Sequence, residues 1–219
     1  MTVKLINSGF ILLLVIVFSG FFSCSRSEPR IVHGFMELVY YSGRDGIEER
    51  ITFFVLSEDD DGIENLAELY LYHDREGLRW SIGSEDWVNH TEEGVTWIGS
   101  RSIAIQGAPL PRGVYRAVLV NKSGERSERN FTFDTPQRSP YAFPSFSFSE
   151  ESYTVRSQYP VNHFIFYDQQ GRVVDVRTLS ENEGLMSDLR PAVSVRTAAL
   201  WAEDPELQIS AMTEAAPIR

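Results

Sequence analysis

From Ile31 onward the chain alternates apolar and polar residues in short blocks rich in Val, Ile, Phe, Tyr and Thr, interrupted every few residues by Gly, Asp, Asn or Pro. A period of two bounded by turn formers is the signature of half-buried strands. It predicts strands near 32–40, 50–57, 67–73, 78–82, 95–98, 101–105, 114–121 and 128–134, with turns at Ser42–Gly46, Glu58–Gly62, His73–Gly77 and Asn121–Gly124. No window of a dozen residues sustains a 3.6-residue apolar period. Ile63–Leu71 comes nearest, and there Leu69 and Leu71 alternate with Tyr70 and Tyr72 equally well as a strand. The region is therefore read as all-β. The pattern breaks only at the N-terminus, where Phe10–Phe18 reads FILLLVIVF. As a helix that run is about 14 Å long, against the ~30 Å of hydrocarbon a spanning helix must cross.

Lys4 precedes this run, and Ser19, Gly20, Phe21, Phe22 and Ser23 lead from it to Cys24, the single cysteine of the chain. A positive charge, an apolar stretch and small residues in that order form an export signal. The segment resembles a bacterial lipoprotein signal: Ser23 supplies the small residue before the cysteine, while Phe21 and Phe22 depart from the usual aliphatic-then-small pattern. The resemblance implies loss of residues 1–23, a diacylglyceryl thioether on Cys24 and acylation of the new N-terminus. It places the body on a membrane of the cell envelope, in the periplasm or at the cell surface, behind a polar tether at 24–30. Several acyl chains, at about 0.8 kcal/mol per buried CH₂, hold where a single chain would not.

Leu110–Phe133 carries the most specific fold signal. A proline-led corner feeds a strand with Tyr115, Ala117 and Leu119 on one face, a turn follows at Asn121–Gly124, and a second strand returns to Phe131 and Phe133. This resembles the last hairpin of fibronectin type III and other immunoglobulin-like sandwiches, with Leu110, Pro111 and Tyr115 where that family has its tyrosine corner. The resemblance implies an all-β immunoglobulin-like sandwich over 31–135 without the two cysteines of antibody domains. Asp134–Ser149 contains three prolines and marks a boundary, read as a stiff linker at 136–148. A second, small β domain at 149–219 is expected to hold strands at 153–157, 162–167, 172–179, 194–203 and 207–213. Phe164–Val176 echoes Ala117–Arg129, which suggests an internal duplication. At this size the second unit is either a truncated sandwich or shares a core with the first.

Charge narrows the partners. The formal net charge is −11, and removal of Met1–Ser23 takes Lys4 with it, leaving 19 basic against 31 acidic residues. Binding to nucleic acid needs cationic groups that displace counterions, so no nucleic-acid role is expected. Hydrophobic residues at 42% argue for packed cores. With no cysteine after Cys24, no disulfide framework is available.

Candidate chemistry is sparse. Gly-x-Ser-x-Gly, HExxH, Walker and GxGxxG motifs are all missing, and His33, His73, His90 and His163 are never spaced two to four apart. In the acidic run Ser57–Glu68, the residues Asp59, Asp61 and Glu68 fall at positions 3, 5 and 12 of a calcium loop, but position 1 is serine and the flanks are strands. The run is a candidate calcium site or a solvated turn. Trp80, Trp87 and Trp97, with Tyr70 and Tyr72 nearby, either pack in a core or present a platform for sugar rings. The sequence thus points to a lipid-anchored envelope protein that binds a protein or glycan partner or has a structural role. The alternatives are a carbohydrate-binding lipoprotein using surface aromatics and, more remotely, a small hydrolase.

Overall fold

The computed structural model describes residues 27–43, 46–92, 95–189 and 195–218, apart from the side chains of 90–92. The apolar run, Cys24, the middle of the first turn (44–45) and the start of the strand expected at 194–203 lie outside them.

Eight strands build the first unit: β1 (Arg30–Gly43), β2 (Gly46–Glu58), β3 (Leu66–His73), β4 (Leu78–Gly83), β5 (Val88–Glu92), β6 (Val95–Ile103), β7 (Gly113–Asn121) and β8 (Arg126–Phe133). They pair in the orders β1-β2-β6-β5 and β4-β3-β7-β8. This is the A-B-E-D and C′-C-F-G arrangement of an immunoglobulin-like sandwich. Between the sheets the inward residues of each strand, Leu38, Ile51, Phe53, Leu69, Leu71, Ile98, Leu119 and Phe133 among them, are fully or almost fully buried. The tyrosine corner is formed: the buried Tyr115 hydroxyl donates to the Pro111 carbonyl at 2.8 Å.

β6 is one strand, not the two expected from the Gly99-Ser100 break. Gly99 lies where a Cβ would come within 2.8 Å of Phe54 Cα, so the glycine marks a close approach of two backbones rather than a strand end. β5 is an edge strand that the sequence reading missed.

The second unit contains β9 (Ser145–Phe148), β10 (Ser152–Arg156), β11 (Val161–Tyr167), β12 (Val173–Thr178), β13 (Glu183–Leu185), a one-turn helix α1 (Met186–Leu189), β14 (Thr197–Asp204), β15 (Ile209–Met212) and β16 (Ala216–Pro217). Its sheets are β13-β10-β9 and β12-β11-β14-β15, with β16 also on β14, a reduced E-B-A and C′-C-F-G sandwich. Ser145–Phe148, expected to be linker, pairs with β10 and belongs to this sandwich, because Phe146 and Phe148 pack against its core. The proposed duplication lies elsewhere than expected: Phe164–Val176 forms the C–C′ hairpin, whereas Ala117–Arg129 forms the F–G hairpin. The repeated feature is the F–G turn. Asn121 Oδ1 accepts from the Ser123 and Glu125 amides at 3.0 Å each, and Asp204 Oδ1 accepts from Glu206 at 3.0 Å and Leu207 at 3.2 Å.

The two units share a sheet. β15 pairs in parallel with β1, from Leu38↔Ile209 to Tyr41↔Met212, and the Leu38 amide donates to the Gln208 carbonyl at 3.0 Å. One continuous sheet therefore runs β12-β11-β14-β15-β1-β2-β6-β5. Ile209, Ala211, Ala202 and Tyr159 pack with the core of the first unit, so the seam is apolar as well as hydrogen-bonded. The linker is fastened down. Arg112 forms a two-pronged pair with Glu49 (2.9 and 3.2 Å) and donates to the carbonyls of Thr135 (3.1 Å) and Pro136 (2.8 Å). Farther along, the Tyr141 hydroxyl donates to Asp204 Oδ2 at 2.6 Å.

Candidate functional site

Side chains alternate across a strand, so residues 36, 38 and 40 of β1 enter the first core while Phe35, Glu37, Val39 and Tyr41 point to the opposite face of the shared sheet. The pairing extends that face sideways. Thr178, His163, Trp201, Met212 and Tyr41 form one row across β12, β11, β14, β15 and β1, and Glu203, Ser210, Val39 and Arg50 form the next. The sheet curves around these rows to leave a concavity of about 660 Å³ that reaches from Val173 and Val176 on β12 to Arg101 and Ser102 on β6. Those seven strands span roughly 29 Å at ~4.8 Å per spacing. Neither sandwich contains this site alone, because its middle is the β15–β1 seam.

The floor is largely apolar: Val39 and Phe54, with Thr52 between them, are buried although they face away from the sandwich core. Phe35 stacks on Phe54 with ring centres 5.7 Å apart and meets Trp97 edge-on at 5.7 Å. Two arginines lie over rings, Arg50 at 4.4 Å from the centre of Tyr41 and Arg101 at 5.9 Å from that of Phe54.

Two carboxylates sit among these rings, in unequal settings. Glu203 is fully engaged: Oε1 is 3.2 Å from His163 Nε2, and Oε2 accepts from Trp201 Nε1 at 2.9 Å, while His163 Nδ1 is 2.9 Å from Thr178 Oγ1. Glu37 forms no ion pair among the described residues. Burial pushes its carboxyl above the ordinary value; the neighbouring Glu203 charge adds to the shift, whereas Ser210 and Arg101 oppose it. Ser210 Oγ lies close enough to favour the carboxylate but completes no hydrogen bond of good geometry, so the buried hydroxyl is left unpaired beside a half-buried carboxyl.

None of the described metal or platform candidates read from sequence lines the concavity, and only Trp97 touches its edge, at Phe35. Trp80 and Trp87 pack against the core of the first sandwich, and Trp80 Nε1 donates to the Ala104 carbonyl at 3.0 Å. Trp97 is on the opposite surface of the other sheet, against His33 and Phe35, so the three tryptophans form no single platform. β4 and β6 belong to different sheets, and the period-two alternation sends their aromatics to different faces. Tyr70 and Tyr72 are on the outer face of β3 under Arg79 and Arg116, at 4.5 and 4.6 Å.

Asp59, Asp61 and Glu68 do not converge, and among the described residues no three acidic, histidine or cysteine side chains group to hold a metal ion. Asp59 organises the turn instead: Oδ1 accepts from the Asp61 amide at 2.9 Å and from Asn65 Nδ2 at 3.2 Å, while Gly62 takes φ +84°. Glu68 points from β3, where it lies opposite Gly83 and Val120. His73 is buried against Tyr115 at 4.8 Å, remote in sequence and sheet from His163. A clue to this concavity was present in Phe35–Tyr41, FMELVYY, a strand apolar on both faces with one acid in the middle. Such a strand is covered on both sides or carries a site.

No family model matches the chain, and no curated protein matches it. Among solved structures, the N-terminal Ig1-2 module of the Drosophila receptor protein tyrosine phosphatase DLAR aligns over 87% of this chain and 97% of that one, at 13% identity and a TM-score of 0.41. Murine CEACAM1b aligns over 85% and 99%, at 10% identity and a TM-score of 0.26. The immunoglobulin-like assignment rests on the strand orders and the tyrosine corner.

Proposed function

We propose that this is a lipid-anchored cell-envelope protein that binds a partner on the outer face of its shared sheet, with Cys24 carrying the lipid. The observation that carries the binding role is the aromatic concavity across the seam: a largely apolar floor around the Glu37 carboxyl, built from both units at once. A binding role fits better than a catalytic one, since both oxygens of Glu203 are engaged and the hydroxyl nearest Glu37, that of Ser210, is completely buried and does not line the concavity. Anchoring is supported by the nine-residue apolar run ending shortly before the only cysteine.

Oxidative side-chain footprinting of the full chain, with and without solubilised envelope extract, tests the site. Phe35, Tyr167, Trp201 and Met212 should be protected together, and Ile165→Arg should abolish that protection. Protection confined to Tyr70 and Tyr72 would move the site to the other sheet. Cys24→Ser should shift the protein from the membrane to the soluble fraction; retention in the membrane would remove the anchor.

A further inference from the structure

The chemistry of the concavity narrows what it can hold. This inference rests on the shared-sheet face being the binding site. A purely apolar occupant, such as an acyl chain, would seal the Glu37 carboxyl away from water without an ion-pair partner, and stranding a carboxylate in that way is costly. An anionic occupant would gain from Arg50 and Arg101 but would bring its charge beside Glu37, with Glu203 behind it. A simple cation would find one free carboxylate, with Arg101 and Arg50 nearby. An extended peptide binding as an added strand draws its affinity from an open sheet edge, and β11, β14, β15, β1 and β2 are each paired on both sides.

The remaining class combines flat apolar faces with neutral hydroxyl donors and acceptors. Rings of that kind can lie against Tyr41, Trp201 and Tyr167 while their hydroxyls donate to Glu37 and accept from Arg50 or Arg101. We propose that the shared-sheet face binds a neutral, hydroxyl-rich oligosaccharide, with Trp201 as the principal stacking surface and Glu37 as the central hydrogen-bond acceptor. The acidic body does not repel such a ligand, and a groove crossing seven strands has the extent to take several rings of a chain.

The test is calorimetric titration of the full chain in detergent with hexasaccharides of β-linked glucose, β-linked N-acetylglucosamine and α-linked mannose. At least one should bind with a Kd below about 1 mM. Trp201→Leu, which keeps apolar volume but loses the ring, and Glu37→Ala should each weaken it by about tenfold or more, and Trp201→Phe should recover most of the loss. Melting curves of each variant exclude misfolding as the cause. Absence of binding to all three sugars overturns the proposal, as does binding indifferent to both substitutions. If envelope extract still protects the face in footprinting but the protection is lost on protease treatment of the extract, the face is a binding site and the ligand class assigned here is wrong.

Discussion

The two sandwiches follow one plan with very different resources. The first has four strands in each sheet, a tyrosine corner and a core of large side chains packed between long strands. The second has a three-stranded sheet whose members run only four, five and three residues, and its best-buried aromatics, Phe164 and Phe166, belong to the other sheet. A sandwich that small buries little surface relative to what it exposes. It compensates at the seam, where Ile209, Ser210 and Ala211 of β15 are completely buried beside β1 and against the first core. The weaker unit therefore completes itself on the stronger one, and the same junction creates the groove.

Separating the units should have the largest effect. Residues 27–138 should keep a sharp unfolding transition, whereas residues 139–219 alone should show none by near-ultraviolet circular dichroism, because Tyr159, Ala202, Ile209 and Ala211 would lose their cover. A cooperative transition in the shorter fragment would make the second sandwich self-sufficient and break the contrast. Arg112→Ala comes next. Both side chains of the Arg112–Glu49 pair are only 11% exposed, so the substitution leaves a buried carboxylate unpaired and should cost about 3 to 5 kcal/mol in denaturant unfolding. It also frees the Thr135 and Pro136 carbonyls, so the loss should be smaller in the isolated first unit if part of the pair's role is to seat the second.

Glu37→Gln should have the smallest effect, and one of opposite sign. Because the folded protein holds the Glu37 proton more tightly than the unfolded chain does, native stability falls as pH rises from the ordinary carboxyl value through the raised one. Glutamine removes that loss. The variant should match the native protein near pH 4 and exceed it at pH 7; a gap that is constant with pH would mean that Glu37 is not the strained group of the face.

Much of the first sandwich is legible in the sequence, because turn formers punctuate a period-two pattern and Leu110, Pro111 and Tyr115 announce the corner. The errors have local causes. Gly99 mimics a break where it permits a close backbone approach, and the prolines around Phe146 and Phe148 hide a short strand whose alternation with Ser145 and Ser147 was in view. The acidic run is no such error: it was open to a calcium loop or a solvated turn, and Asp59 spends its oxygens on the turn's own donors. The site was illegible for a different reason. It depends on residues 38–41 pairing with 209–212 across most of the chain, a contact no short-range pattern encodes; only the two-sided apolarity of Phe35–Tyr41 hinted at it.

Native-state hydrogen exchange at the seam tests the shared sheet most directly. The Leu38 amide, bonded to Gln208, should exchange as slowly as amides at the centre of β2 and β7, through global unfolding alone. Exchange at Leu38 orders of magnitude faster than in those strands would show that β15 leaves β1 while both sandwiches stay folded, and would contradict a binding face built across a permanent seam.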